Sequence, residues 1–118
     1  MAAVSKCGHR NIAVVVGVLT RDPEVRELPD GQVIVELDVK VAEAAKGSSV
    51  VPVSWSGGKA TFGAGDVVVV VGRVRRRFWN AGGGPMSRTD VLAEIVVPGG
   101  SAKRTSAALA EAAARVSL

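Results

Sequence analysis

At 118 residues the chain has room for one domain with a real core, and not for two. A composition of 47% hydrophobic and 22% charged residues excludes a disordered chain. The net charge of +4 is unevenly spread: residues 1–66 carry 7 Lys or Arg against 8 Asp or Glu, whereas residues 67–118 carry 8 against 3. One cysteine, Cys7, excludes an internal disulfide, and no apolar run approaches the ~20 residues of a membrane span. Residues 1–11 lack the apolar core of a signal peptide, so the expectation is a soluble protein of the reduced cytoplasm.

In chain order, the first strand is expected over residues 11–20. Its apolar residues fall on both parities, so one face can line a core while the other needs a second layer or a second subunit. Arg21-Asp22-Pro23 interrupts this strand, which resumes near Val25, and Pro29-Asp30-Gly31 is a turn. Strand two is the cleanest alternation in the chain, with Val33, Val35, Leu37, Val39 and Val41 facing the core. Strand three, residues 50–56, carries Val51, Val53 and Trp55 on one parity and Pro52 on the other, which points to an edge or to irregular pairing there. Residues 57–65 are glycine-rich, with room for one turn of helix at most around Thr61 and Phe62.

Strand four opens on five valines, Val67 to Val71, a run suited to burial on both faces. It continues as Gly72-Arg73-Val74-Arg75-Arg76-Arg77-Phe78-Trp79, and strand alternation puts Arg73, Arg75, Arg77 and Trp79 in one row. Two readings are open for this row: a solvated edge that uses charge against aggregation, or a track for a phosphate backbone with exposed bases. A flexible loop is expected over residues 80–87, then a last strand over 89–97, stopped by Pro98-Gly99-Gly100. Residues 101–118 turn alanine-rich. With Thr105 or Ser106 as a cap they have helix propensity, but a helix of this length is marginal alone and a partly ordered tail is expected.

Catalytic groupings are thin. His9 is the sole histidine and sits with Cys7 in the lead-in, with no third group to orient a dyad and too few ligands for zinc. Gly57-Gly58-Lys59-Ala60 lacks the Ser or Thr that a phosphate loop needs. The acids Asp22, Glu24, Glu27 and Asp30 surround a turn where charge is ordinarily solvated. No enzyme and no cofactor are expected.

Five short strands, one minimal helix and a basic strand point to an all-β, five-stranded Greek-key barrel of the oligonucleotide-binding type over residues 1–100, followed by the Ala-rich tail over 101–118. The residues also carry a resemblance. Asn11-Ile12-Ala13-Val14-Val15-Val16-Gly17-Val18-Leu19-Thr20-Arg21-Asp22-Pro23-Glu24-Val25-Arg26 and Pro29-Asp30-Gly31 resemble the opening of bacterial single-stranded DNA-binding proteins. Gly65-Asp66, Val71-Gly72-Arg73-Val74-Arg75, Trp79 and Ala93-Glu94-Ile95-Val96-Val97 continue the likeness in order, over about residues 10–98.

The resemblance implies an oligonucleotide-binding barrel, usually a homotetramer, that coats single-stranded DNA in replication, recombination or repair, in the cytoplasm on the nucleoid. It implies no catalysis, membrane or small-molecule substrate. Trp79 matches a base-stacking aromatic, Arg73, Arg75 and Arg77 lie on the same side of its strand, and Arg88 falls in the loop that grips the nucleic acid. Trp55 is a second candidate platform, although its parity is that of the core. The chain departs from the family at Ala44 and Ala45, and at Val50 and Ser56, where stacking aromatics are expected. It also ends without an acidic aromatic tip, so recruitment of repair proteins through the tail is not expected.

Overall fold

A computed structural model describes residues 8–43, 47–59 and 61–117. Six strands, β1 (Ala13–Leu19), β2 (Glu24–Glu27), β3 (Val33–Ala42), β4 (Ser48–Ser56), β5 (Val67–Ala81) and β6 (Gly84–Pro98), precede one helix, α1 (Ala102–Val116). The protein is mostly β. Strand order is β1-β5-β6-β4-β3-β2, and a further antiparallel pairing of β1 with β3 through Val18–Lys40 and Leu19–Val39 closes the circuit. One junction is parallel: β4 meets β6 over Val53–Val91, Ser54–Leu92 and Trp55–Ala93. Pro52 immediately precedes this three-residue ladder, where its missing N–H interrupts no bond to β6.

Alternation decides what is inside. Leu19, Val35, Leu37, Val39, Val53, Val68, Val70, Val91, Ala93 and Val96 form the core enclosed by the circuit. The intervening valines of β5, Val69 and Val71, point outward and form a second cluster with Ala108 and Ala112 of α1, flanked by Ile12, Ile95 and Val97. Val68 to Val71 are thus buried, by the core on one side and by the helix on the other, whereas Val67, which opens the run, is exposed and departs from the expectation.

Two expectations are corrected here. The C-terminal stretch is a docked helix and not a partly ordered tail; its N-cap is Ser101, whose Oγ accepts from the Arg104 N–H at 3.3 Å, and not Thr105 or Ser106. Small alanines let the helix approach the valine-rich sheet, a tertiary gain that propensity does not report. The second correction concerns residues 80–87. They are strand except for a two-residue turn at Gly82-Gly83, with Ala81 paired to Gly84. Backbone pairing needs no side chain, and a glycine pair suits a two-residue hairpin.

The outer face of β1 is only partly covered. Ala13 and Val15 pack on the core, whereas Val14, Val16 and Val18 are exposed.

Candidate functional site

The site grows from the overhang of β5 and β6 beyond the closed circuit. β1 stops opposite Gly72, and β4 reaches β6 only through Val91 to Ala93, so residues 75–81 and 84–90 pair with each other alone. At the root of this arm the Asn11 side chain substitutes for a missing strand: its Nδ2 donates to the Val74 carbonyl at 2.8 Å and its Oδ1 accepts from the Val74 N–H at 2.9 Å. A register shift lies between Val71 and Gly72, where β6 inserts an extra residue. A Cβ on Gly72 would collide with the Leu92 carbonyl, so glycine is required at this close approach.

One face of the arm carries Arg73, Arg75, Arg77 and Trp79, opposite Leu92, Asp90, Arg88 and Met86. Asp90 is 3% exposed, a buried carboxylate that needs partners. Arg75 supplies a fork, Nε to Oδ1 at 3.2 Å and Nη2 to Oδ2 at 3.0 Å, and the Arg77 Nη2 lies 3.3 Å from the same Oδ2. The two guanidinium groups, each about a third exposed, are thereby held side by side and share one negative charge.

Toward the tip, Arg77, Trp79 and Arg88 meet Arg26 and Glu36 from β2 and β3 across a cleft of about 270 Å³. Arg26 pairs with Glu36 at 2.9 Å, so this acid is matched within the cleft. The indole of Trp79 is half exposed. One aromatic wall beside three guanidinium groups can stack an unpaired base while holding its phosphate. In the bend after β1, Arg21 donates to the Asp38 carboxylate at 2.8 Å and pairs with Glu24 at 3.6 Å. The bond to Asp38 pushes the Arg21 pKa above its ordinary value.

The structure gathers Arg77, Trp79 and Arg88 into one cleft and places Arg75 next to them through Asp90. Arg88 is a strand residue facing Arg77, and not a loop residue as expected. Arg73 is exposed at the root of the row and lines a different concavity, with Arg10, Glu94 and Arg115. Trp55 is not brought to Trp79: it packs against the core with Phe62, ring centroids 6.4 Å apart, and a Cβ on Gly58 would run into its indole. His9 is exposed beside Arg10, while Cys7, Ala44 and Ala45 lie outside the described residues.

Arg26, Glu36 and Asp90 were not singled out by sequence. For Asp90 a signal existed, since it shares the parity of Met86 and Arg88 and falls opposite Arg75 once the turn is recognised as tight. Among the described residues no three or more His, Cys, Asp or Glu gather as a metal site, and no helix is long and apolar enough to cross a membrane. No protein-family model matches the chain, and no curated protein is similar enough to count as a relative.

Proposed function

We propose that the chain is an oligonucleotide-binding barrel that coats single-stranded DNA without sequence preference. The observation that carries this reading is the cleft in which the Trp79 indole stands among Arg26, Arg77 and Arg88. The closed circuit with one parallel junction supports it, as does the resemblance to bacterial single-stranded DNA-binding proteins. Bases stack on Trp79, phosphates engage Arg77 and Arg88, and Arg73 and Arg75 extend the track toward α1. The protein binds and protects rather than catalyses, in replication, recombination or repair, on the nucleoid. With one indole in the cleft, the electrostatic share of affinity is large and the salt dependence correspondingly steep.

The exposed stripe Val14, Val16 and Val18 supports self-association, and the resemblance favours a homotetramer. Sedimentation across a concentration series tests this, with a monomer at every concentration as the overturning result.

Titration of labelled oligothymidine into the protein at two salt concentrations tests the main reading. Indole fluorescence should quench and affinity fall as salt rises; no binding at low salt overturns it. Competition with duplex DNA and single-stranded RNA then defines the preferred polymer, because stacking and charge alone do not separate RNA from DNA. A second reading is an assembly module with weak DNA affinity. It is favoured by Asp90, which already occupies Arg75 and Arg77, and by the core packing of Trp55. Intact oligomers with negligible DNA affinity would select it.

A further inference from the structure

The arm has two faces, and the second is equipped as well as the first. Residues on the inward parity of β5 enter the core as Val68 and Val70, but once the strand outruns the closed circuit the same parity meets solvent. There stand Val74, Arg76 and Phe78, opposite Val91, Thr89 and Ser87. An overhang that served only to carry the first face would be polar on its back. Phe78 is instead 74% exposed, more than any other large apolar side chain in the described structure.

Its neighbours hold a cation against it. The Arg76 guanidinium lies 5.5 Å from the Phe78 ring centroid, within cation–π range, and its Nη2 donates to Ser87 Oγ at 2.9 Å across the ladder. Arg76 has no carboxylate partner among the described residues, in contrast to Arg75 and Arg77 on the other face. An exposed aromatic beside an oriented, uncompensated guanidinium repeats, in smaller form, the chemistry of Trp79 with Arg77 and Arg88.

We infer that Phe78 and Arg76 form a second single-strand-binding face, and that one DNA strand passes from the Trp79 cleft around the glycine tip onto the reverse of the same arm. The inference rests on the DNA-binding reading proposed above. The tip permits the passage, because Gly82 and Gly83 present no side chain at the crossing. A base stacks on the free side of the Phe78 ring and the following phosphate meets Arg76. A strand too short to round the tip occupies the Trp79 cleft alone.

Strand length therefore separates the two faces. The full chain and its Phe78→Ala and Phe78→Trp variants would be titrated with oligothymidine of about 8 and about 35 nucleotides, chosen against the ~4–16 nucleotides that one such fold covers. Phe78→Ala should weaken the long oligonucleotide about 5- to 150-fold, the loss of one stacked base, and leave the short one within about twofold. Phe78→Trp should restore binding of the long strand. Equal affinity of Phe78→Ala and the parent for both lengths overturns the inference while leaving the Trp79 cleft standing. So does equal weakening at both lengths, which would make Phe78 part of the first cleft. A changed sedimentation coefficient for Phe78→Ala would identify Phe78 as a contact between copies and would also overturn it. Absence of binding by the parent at either length ends both readings together.

Discussion

The two halves of β5 belong to one continuous strand and have opposite fates. Val68 to Val71 are 0 to 1% exposed, whereas Phe78 and Trp79, further along the same strand, project into solvent. The hydrogen-bonded ladder to β6 continues through both halves, so pairing with β6 does not distinguish them. What differs is the number of neighbours. The first half lies between β1 and β6 with core on one face and α1 on the other; the second has β6 alone. Burial and exposure are therefore separated along one strand; on the proposed function stability and recognition separate with them, and substitutions in the two halves should be read by different instruments.

The largest effect should come from the closed body. Leu37 is 2% exposed and packed among Val35, Val39 and the valines of β5. Leu37→Ala should cost about 2–5 kcal/mol in denaturant unfolding, the range for truncating a buried leucine. Oligothymidine affinity of the remaining folded protein should not change. A variant that keeps its unfolding midpoint but loses DNA affinity would invert the comparison.

Asp90 sits where the regions meet. Asp90→Asn preserves shape but removes the charge that Arg75 and Arg77 share. Loss of a charge-assisted hydrogen-bond set should destabilise by about 1.5–3 kcal/mol. The same change frees positive charge along the row, so binding at low salt should tighten and its salt slope steepen by about 0.7, the increment for one further phosphate on a single strand. Weaker binding with an unchanged slope would mean that Asp90 matters by positioning the arginines and not by restraining them. For Trp79→Ala the sign of the comparison reverses. Binding should lose about 1–3 kcal/mol per stacked base, while the thermal midpoint stays put because the indole is half exposed and outside both core clusters.

Much of this division could be read from residues alone. Period-two alternation is a local property, so the common face of Arg73, Arg75, Arg77 and Trp79 follows from numbering, as does the inward set of β3 from Val35 to Val41; Val33, expected with that set, is exposed at the start of the strand. The length of the arm was not legible. Three glycines and Pro85 have the composition of a loop, yet Ala81 pairs with Gly84 through backbone groups that composition does not describe. That single misreading moved Arg88 from strand to loop and concealed both the Asp90 contact and the two-faced arm. Arg26 and Glu36 were hidden for another reason: they line one cleft with Trp79 only because the sheet curls round on itself, which brings together segments far apart in sequence. Trp55 could be assigned to a parity but not to a neighbour, and its packing depends on Phe62 and on Gly58 lying against the ring.

The smallest effect concerns α1, whose attachment lies between the rigidity of the body and the exposure of the arm. A helix of 15 residues is marginal by itself, and its two buried side chains, Ala108 and Ala112, remove little apolar area from water. Polar contacts at its ends add to this. Ser101 caps the start, Arg10 Nε donates to the Val116 carbonyl at 3.1 Å, and Arg115 pairs with Glu94 and with Glu111. Such a unit should open before the sheet does. Ser101→Ala removes the cap and should cost about 0.5–2 kcal/mol, at the low end because the cap is exposed. Amide hydrogen exchange should register the loss in residues 102–116 while β3 keeps its protection and the Trp79 cleft keeps its affinity. Equal loss of protection in α1 and β3 would show that helix and body unfold as one unit, and the buried half of β5 would then owe its stability to the helix as much as to the core.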